Sequence, residues 1–351
     1  MNRPKILMVS VRADHGGGPR HIYQLIRNLT RKFEIFIACP QEKPYWNLFR
    51  EVVGNSNMIS LPHRAFSLKN YRELKGFIAN HEIKLIHSHG KGAGLYGRLI
   101  AKNLNLPSIH TFHGLHINNY NRLQQWIYLN LERWLCAHSK ACISVSESER
   151  NRILKHKLLP PNSLELIPNG VQPETQKHFF RMEPKVICIT RDDPVKNPEL
   201  LIEIAGLLPN IEFRIIGIET TGKWKHKLIK YKNIKMLGLI SEDQLADQFE
   251  WASICLNTSL WEGLPISLLE AMSHQVAIVA TDVPGNSDLL ENSGWKFKSG
   301  DSNSGIKAIK KCLSDPIEYE SRVKNAYNKL IEDFSESAMC KKTSQLYQNV
   351  L

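Results

Sequence analysis

The chain has 351 residues, 42% of them apolar and 23% charged, which excludes wholesale disorder and makes two domains the default. Its formal net charge is +12, unevenly carried: residues 1–172 hold 24 Lys and Arg against 10 Asp and Glu, while residues 173–351 hold 22 against 24. Seven cysteines stand singly, mostly in apolar runs and without metal or redox spacing, so buried thiols in a reducing, cytoplasmic setting are expected. The first apolar run, Ile6 to Val11, is too short and too soon charged for a signal peptide, and no run is long enough to span a bilayer.

In chain order, Lys5–Ser10 reads as a strand and runs into Gly16-Gly17-Gly18-Pro19. Glycines there would let backbone amides approach a phosphate. The spacing is not the dinucleotide fingerprint, so a tight strand–helix connection reads equally well. Helices over Arg20–Thr30, Leu68–Asn80, Ala93–Leu104 and Leu123–His138 alternate with strands over Glu34–Ala38, Ile83–His87, Ser108–Thr111, Ala141–Val145 and Leu164–Ile167. Histidines crowd this half: His87, His89, His110, His113 and His116. A metal would need converging ligands with a fixed second shell, and nothing in the spacing supplies one. Hydrogen bonding at the edge of a cleft is the expectation, with no metal. Tyr120–Trp134 mixes aromatics with cations; it could rest on a membrane interface, but a core-facing helix with snorkelling arginines is the preferred reading. The strongly basic half points to an anionic partner, a membrane surface by preference or else nucleic acid or a phosphorylated acceptor, against the plainer reading of a solvated basic surface.

Gln172–Pro184 has two prolines and no periodicity and reads as a linker. Alternation restarts with strands over Val186–Thr190, Glu212–Gly217, Ile234–Leu237, Ala252–Leu256 and Ala277–Ala280; Ser335–Val350 reads as a last helix. Strand–helix repetition means parallel sheets covered by helices, with ligands beyond the strands' carboxyl ends. Arg191 and Lys196 stand at such an end, beside Asn197 and Pro198, which suit the cap and first position of a helix. They could neutralise a diphosphate, or form a solvated loop paired with Asp192 and Asp193.

The most informative stretch runs Thr258-Ser-Leu-Trp-Glu262-Gly263-Leu264-Pro265-Ile266-Ser-Leu-Leu-Glu270-Ala-Met272. Pro265 suits a first helical turn, which places Glu262 on the loop before it and Glu270 inside it. The amides of Leu264, Ile266 and Ser267 at that N-terminus make an anion site between two carboxylates. A ligand with hydroxyls on both sides of a phosphate, such as a sugar nucleotide, fits that arrangement.

Together these residues resemble the retaining glycosyltransferases of family 4. Glu262 to Glu270 matches the family's E-x7-E motif, and Ala280-Thr-Asp-Val-Pro-Gly-Asn286 continues it. The stretches around His87–Arg98 and His110–Gly114 resemble bacterial members that build capsule, O-antigen and exopolysaccharide. The resemblance implies the GT-B fold: α/β, with two doubly wound Rossmann-like domains facing a central cleft. Its boundaries here are 1–172 for the acceptor, 173–335 for the donor, and a final helix over 336–351 crossing back. It implies a sugar moved from a nucleotide-sugar donor, a UDP-sugar by preference, to a glycan or lipid-linked saccharide. Arg191, Lys196, Glu262 and His113 would serve catalysis; Gly16, Gly17, Gly18, Gly263, Leu264, Pro265, Ile266 and Glu270 the donor; His89, Lys91 and His116 the acceptor. No cofactor or metal is implied. Gln275, Ala277 and Thr190 stand where the family has glycine, proline and glycine. A sugar-nucleotide 2-epimerase and a non-catalytic sugar-nucleotide-binding subunit share this architecture and stay open. A nucleic-acid-binding reading lacks any recognisable module.

Overall fold

Apolar runs too short for core helices, separated by amphipathic stretches, leave little choice but parallel strands with helical crossovers. The structure is a computed structural model and describes residues 3–115, 117, 120–175, 183–219, 221, 223–228 and 230–351. The chain divides into two compact units, residues 1–170 with 336–351, and residues 171–335.

The first unit runs β1 (Lys5–Val9), α1 (Gly17–Leu29), β2 (Glu34–Cys39), α2 (Tyr45–Val53), β3 (Met58–Ser60), α3 (Leu68–Asn80), β4 (Leu85–His89), α4 (Lys91–Leu104), β5 (Ser108–Thr111), α5 (Arg122–Ala137), β6 (Ala141–Ser144), α6 (Glu147–Lys155) and β7 (Leu164–Leu166). Its strands form one parallel sheet in the order β3-β2-β1-β4-β5-β6-β7. Both faces are covered, so the strands alternate between two cores and not between core and water. Ile6, Met8, Ile35 and Ile37 pack on one side with Ile22 and Leu25 of α1. Leu7, Val9 and Phe36 pack on the other with Tyr96 and Ile100 of α4.

The second unit runs β8 (Lys185–Ile189), α7 (Pro198–Gly206), β9 (Glu212–Ile216), α8 (Lys223–Leu228), β10 (Ile234–Gly238), α9 (Glu242–Trp251), β11 (Ile254–Asn257), α10 (Ile266–Ser273), β12 (Ala277–Thr281), α11 (Asn286–Leu290), β13 (Trp295–Phe297), α12 (Ser302–Ser314) and α13 (Pro316–Asp333). Its parallel sheet has the order β10-β9-β8-β11-β12-β13. The last helix, α14 (Glu336–Val350), belongs to the first unit. It buries Met339, Cys340, Leu346 and Tyr347 there, and Asn28 Nδ2 donates to Glu336 Oε1 at 2.6 Å.

In each sheet the strand order reverses once, between β1 and β4 and between β8 and β11. The carboxyl ends flanking such a reversal are where doubly wound sheets bind ligands. Several elements carry no strong sequence signal. Strands β3 and β13 are three residues each, too short for a period to show. Helix α6 buries only Ile153 beside Glu149. Strand β11 begins at Ile254 and not at Ala252, because Ala252 is the C-cap of α9.

Helix α5 departs from the core-facing expectation. Tyr128, Glu132, Leu135 and Cys136 are buried, but Leu123, Trp126, Ile127, Leu131 and Trp134 are exposed. The inward face is pinned by a buried ion pair, Arg98 NH2 to Glu132 Oε2 at 2.8 Å. Arg98 also donates to the Gly94 carbonyl at 3.1 Å.

Helix α10 ends in a Schellman motif: Val276 N–H donates to the Ala271 carbonyl at 2.9 Å and Gln275 N–H to the Met272 carbonyl at 3.1 Å. The motif holds Gln275 at φ 53°, a left-handed conformation that costs a side chain more than a glycine. Gln275→Gly should therefore raise stability by about 0.5–1 kcal/mol, after the entropy glycine adds to the unfolded chain. The urea midpoint measures this; an unchanged or lower midpoint would show that the Gln275 side chain repays the strain.

Candidate active site

The constellation read from the sequence of the second unit assembles at the β8/β11 reversal. Beyond β8, Asp193 caps a short 3-10 turn over Pro194–Lys196 by accepting from Val195 N–H at 3.0 Å. Asn197 caps α7 by accepting from Leu200 N–H at 3.4 Å, with Pro198 at the helix start. Beyond β11, Thr258 Oγ1 lies 3.1 Å from the carbonyls of both Lys196 and Asn197, and Leu260 N–H donates to the Val195 carbonyl at 2.8 Å. The two strand ends are thus stitched together.

Lys196 Nζ reaches Glu262 Oε1 at 2.6 Å. The same oxygen accepts from Ser259 Oγ at 2.7 Å and Asn257 Nδ2 at 3.3 Å. Glu262 is buried, and burial alone would raise its pKa; Lys196, Ser259 and Asn257 overcome that and hold it below the ordinary carboxylate value. A buried carboxylate kept ionised in this way is fixed in position before any ligand arrives. Arg191 is arranged differently. Its NH2 lies 3.3 Å from Asp193 Oδ2 on a partly exposed surface, so the acidic pairing weighed from sequence holds for Arg191 and not for Lys196.

Pro265 is the N-cap of α10, one residue before the first-turn position expected of it, and its carbonyl accepts from Leu268 N–H at 3.1 Å. Ile266 and Ser267 therefore head the helix, where the chain supplies no intrahelical carbonyl for their amides. Leu264 and Ile266 are buried. Glu270 is buried inside α10, and its charge, after burial, helps push the Cys255 thiol on β11 up to about 12. Gly263 is held from behind by Gly285. That glycine has φ 85°, and a Cβ on it would stand 2.7 Å from the carbonyl oxygens of both Glu262 and Gly263.

Sequence reading missed several supports. Asn286 Nδ2 donates to Asn257 Oδ1 at 3.3 Å and to the Thr281 carbonyl at 3.0 Å, and Asn257 Oδ1 also accepts from Ser259 N–H at 3.0 Å. Gly217, at φ 92°, lets the Thr190 carbonyl approach to where a Cβ would stand 2.1 Å away, which sets the backbone just before Arg191. The one visible hint was position: each follows an apolar strand run.

In the first unit, Gly16 is the N-cap of α1 in an extended conformation, Gly17 opens the helix, and nothing lies within 4 Å of where a Gly18 Cβ would be. His87 is spent on structure, with Nδ1 2.6 Å from Tyr347 Oη and Nε2 2.8 Å from Thr111 Oγ1. His110 Nδ1 lies 2.9 Å from Ser88 Oγ. His89 and His113 do converge, Nδ1 to Nε2 at 3.2 Å. His21 of α1, not picked out by sequence, joins them: one ring nitrogen from each of the three lies within 4.8 Å of the others, a set that could hold a metal ion. Burial pushes His21 down to about 4 and His89 and His113 well below the ordinary histidine value, so all three are neutral near pH 7. Neutral imidazoles can accept as well as donate hydrogen bonds. Asp14, Glu42 and His63 form a second, more exposed group that could hold a metal. Lys91 Nζ hydrogen-bonds Tyr120 Oη and sits 4.2 Å from the Tyr128 ring centroid. His116 lies outside the described residues.

The lowered pKa of Glu262 has a pH consequence. Its stabilising contribution is fully present above the ordinary carboxylate value of 4.5 and is lost as pH falls through the lower folded value. Glu262→Gln should therefore have a shallower loss of stability below pH 4.5 than the native chain in urea unfolding. Identical acid limbs would show that Lys196 does not hold the carboxylate ionised.

Comparison with known proteins follows the same division. The family described as Glycosyltransferase Family 4 matches residues 15–175, and Glycosyl transferases group 1 matches residues 172–329. The UDP-Gal:alpha-D-GlcNAc-diphosphoundecaprenol alpha-1,3-galactosyltransferase of Escherichia coli is 23% identical, over 93% of this chain and 91% of its own. The Escherichia coli O-antigen biosynthesis glycosyltransferase WbnH is 21% identical, over 94% and 96%. The crystal structure of Anabaena HepE in complex with UDP and glucose superposes with a TM-score of 0.83 at 16% identity, over 99% of this chain and all (100%) of that one. The chain is a glycosyltransferase of the GT-B fold, belonging to Glycosyltransferase Family 4 through its first unit and to the group 1 glycosyl transferases through its second.

Proposed function

We propose that this glycosyltransferase moves a hexosyl or N-acetylhexosaminyl group from a UDP-sugar to a glycan or lipid-linked saccharide in bacterial surface polysaccharide synthesis, with retention of anomeric configuration. The observation that carries the reading is the Lys196–Glu262 pair, 2.6 Å long, at the strand-order reversal and directly before the N-terminus of α10. It sets a cation, a carboxylate and the amides that head a helix side by side, which is what a sugar diphosphate requires. Two similar proteins support the substrates: one uses UDP-Gal and a diphosphoundecaprenol-linked acceptor, and HepE was crystallised with UDP and glucose.

In this proposal Glu270 accepts from the ribose hydroxyls and Glu262 from a hydroxyl of the donor sugar. Lys196 has three donors, so it keeps Glu262 while offering another to the diphosphate. Arg191 leaves Asp193 for the stronger charge of the same group. The bond from the anomeric carbon to the diphosphate oxygen breaks, and the acceptor oxygen bonds to that carbon from the same face. The acceptor proton passes to the leaving phosphate oxygen, so no side chain has to act as a base. Negative charge grows on the diphosphate as the bond breaks, and Lys196, Arg191 and the α10 N-terminus answer it. His113 and His89, neutral and adjacent, offer hydrogen bonds to hydroxyls. The acceptor is met on the inner face of the cytoplasmic membrane, toward which the basic first unit is drawn.

A paired experiment tests the donor site. Glu270→Ala should weaken UDP binding by about 1.5–3 kcal/mol in calorimetry, the worth of a hydrogen bond to a charged group. Lys196→Ala should lower kcat about a hundredfold or more while changing the donor KM less. Near-native UDP affinity in the first and near-native kcat in the second would sink the assignment.

Transfer in this reading takes no metal, its cations being Lys196 and Arg191. Activity should persist in strong chelator. Complete loss, restored by one specific divalent ion, would make either the group of His21, His89 and His113 or a metal bound with the donor essential.

A further inference from the structure

Helix α5 is apolar on two opposite faces. At 3.6 residues per turn, Tyr128, Leu135 and Cys136 share the buried side with Glu132. Leu123, Ile127, Leu131 and Trp134 fall on the other side, with Trp126 at its flank. Leu123 is 66% exposed, Trp126 64% and Ile127 52%. Side chains of this size gathered on one exposed stripe mark a surface that meets something apolar.

The surroundings specify what. Between Glu82 and Glu147 the chain's one carboxylate is Glu132, and it is buried against Arg98. Glu147 is itself paired with Arg150 at 3.6 Å. Around the stripe the charges are positive. Arg122 precedes Leu123 and is exposed; Lys102 Nζ sits 4.2 Å from the Trp134 ring centroid. Arg133 donates to the carbonyls of Lys157 at 3.0 Å and His156 at 3.1 Å, which brings exposed Lys155 and Lys157 alongside. An apolar stripe with tryptophans, framed by cations and without a free carboxylate among these residues, complements an anionic lipid surface.

We propose that this face of α5 docks the protein on an anionic bilayer. Leu123, Trp126, Ile127 and Trp134 enter the headgroup region while Arg122, Lys102 and Lys155 meet the lipid phosphates. The proposal rests on the lipid-linked acceptor of the preceding section and names the surface that would hold the chain beside it. The Arg98–Glu132 pair matters here because it fixes which face of α5 turns outward.

The test uses the full chain and a variant carrying Leu123→Gln, Trp126→Gln and Ile127→Gln. Both are sedimented with vesicles of phosphatidylcholine alone or mixed with phosphatidylglycerol, at low and high salt. UDP calorimetry and thermal unfolding run in parallel. The native chain should bind the anionic vesicles at low salt and release at high salt. The variant should lose at least tenfold in partitioning with UDP affinity and unfolding unchanged. Quenching of native tryptophan emission by brominated lipid checks the same face without any substitution. A variant that partitions like the native chain, or a native chain whose tryptophans stay unquenched, overturns the proposal. So does a native dimer that the variant converts to monomer in ultracentrifugation, which would make a second copy the occupant. UDP binding without vesicle binding removes this proposal alone; vesicle binding without UDP binding removes the donor reading and leaves the docking face standing.

Discussion

A buried carboxylate that must stay charged organises the second unit. Glu262 is out of water, and an isolated anion there would neutralise itself. It stays ionised because Lys196 arrives from the end of β8 and Ser259 and Asn257 from the end of β11. That requirement reaches backwards into the fold. Thr258 must bind the Lys196 and Asn197 carbonyls to bring the strand ends together, and Asn286 must orient Asn257. Gly285 must lack a side chain, so that the loop carrying Glu262 and Gly263 can rest on it. Each of these residues serves one charge pair, and none of them would touch a ligand in the reaction as proposed.

The first unit solves the opposite problem. His89 and His113 are kept uncharged by burial, so they do not repel one another across 3.2 Å. The buried guanidinium of Arg98 is cancelled by Glu132 within the helical layer. The result is a polar but neutral cluster in one unit and a charged, tightly coupled one in the other.

How much of this was legible in the sequence follows from how each signal is written. Strand–helix alternation is encoded by many residues at once, so both parallel sheets could be read, and short edge strands such as β13 could not. Glu262, Glu270, Arg191 and Lys196 could be placed because loops after apolar strands end up at the carboxyl edge of a sheet. What could not be read were pairings. Whether Lys196 would meet Asp193 or Glu262 depends on a register between β8 and β11 that no local pattern carries. His21 was overlooked because it lies on α1, far in sequence from the other histidines it meets. Helix α5 misled because its apolar residues occupy both faces, and composition alone does not say which face has a neighbour.

The placement of α14 has a consequence for how the chain is made. The first unit is begun first, but its core is completed by Tyr347 and its neighbours, which are translated only after the whole second unit. Until then His87 lacks the hydroxyl that satisfies its Nδ1, and α1 has no helix against one side. The second unit, contiguous from 171 to 335, can fold in the meantime without waiting for any distant segment. The first unit should therefore close only once α14 is made, that helix acting as the closing piece of a domain whose strands were translated more than 150 residues earlier.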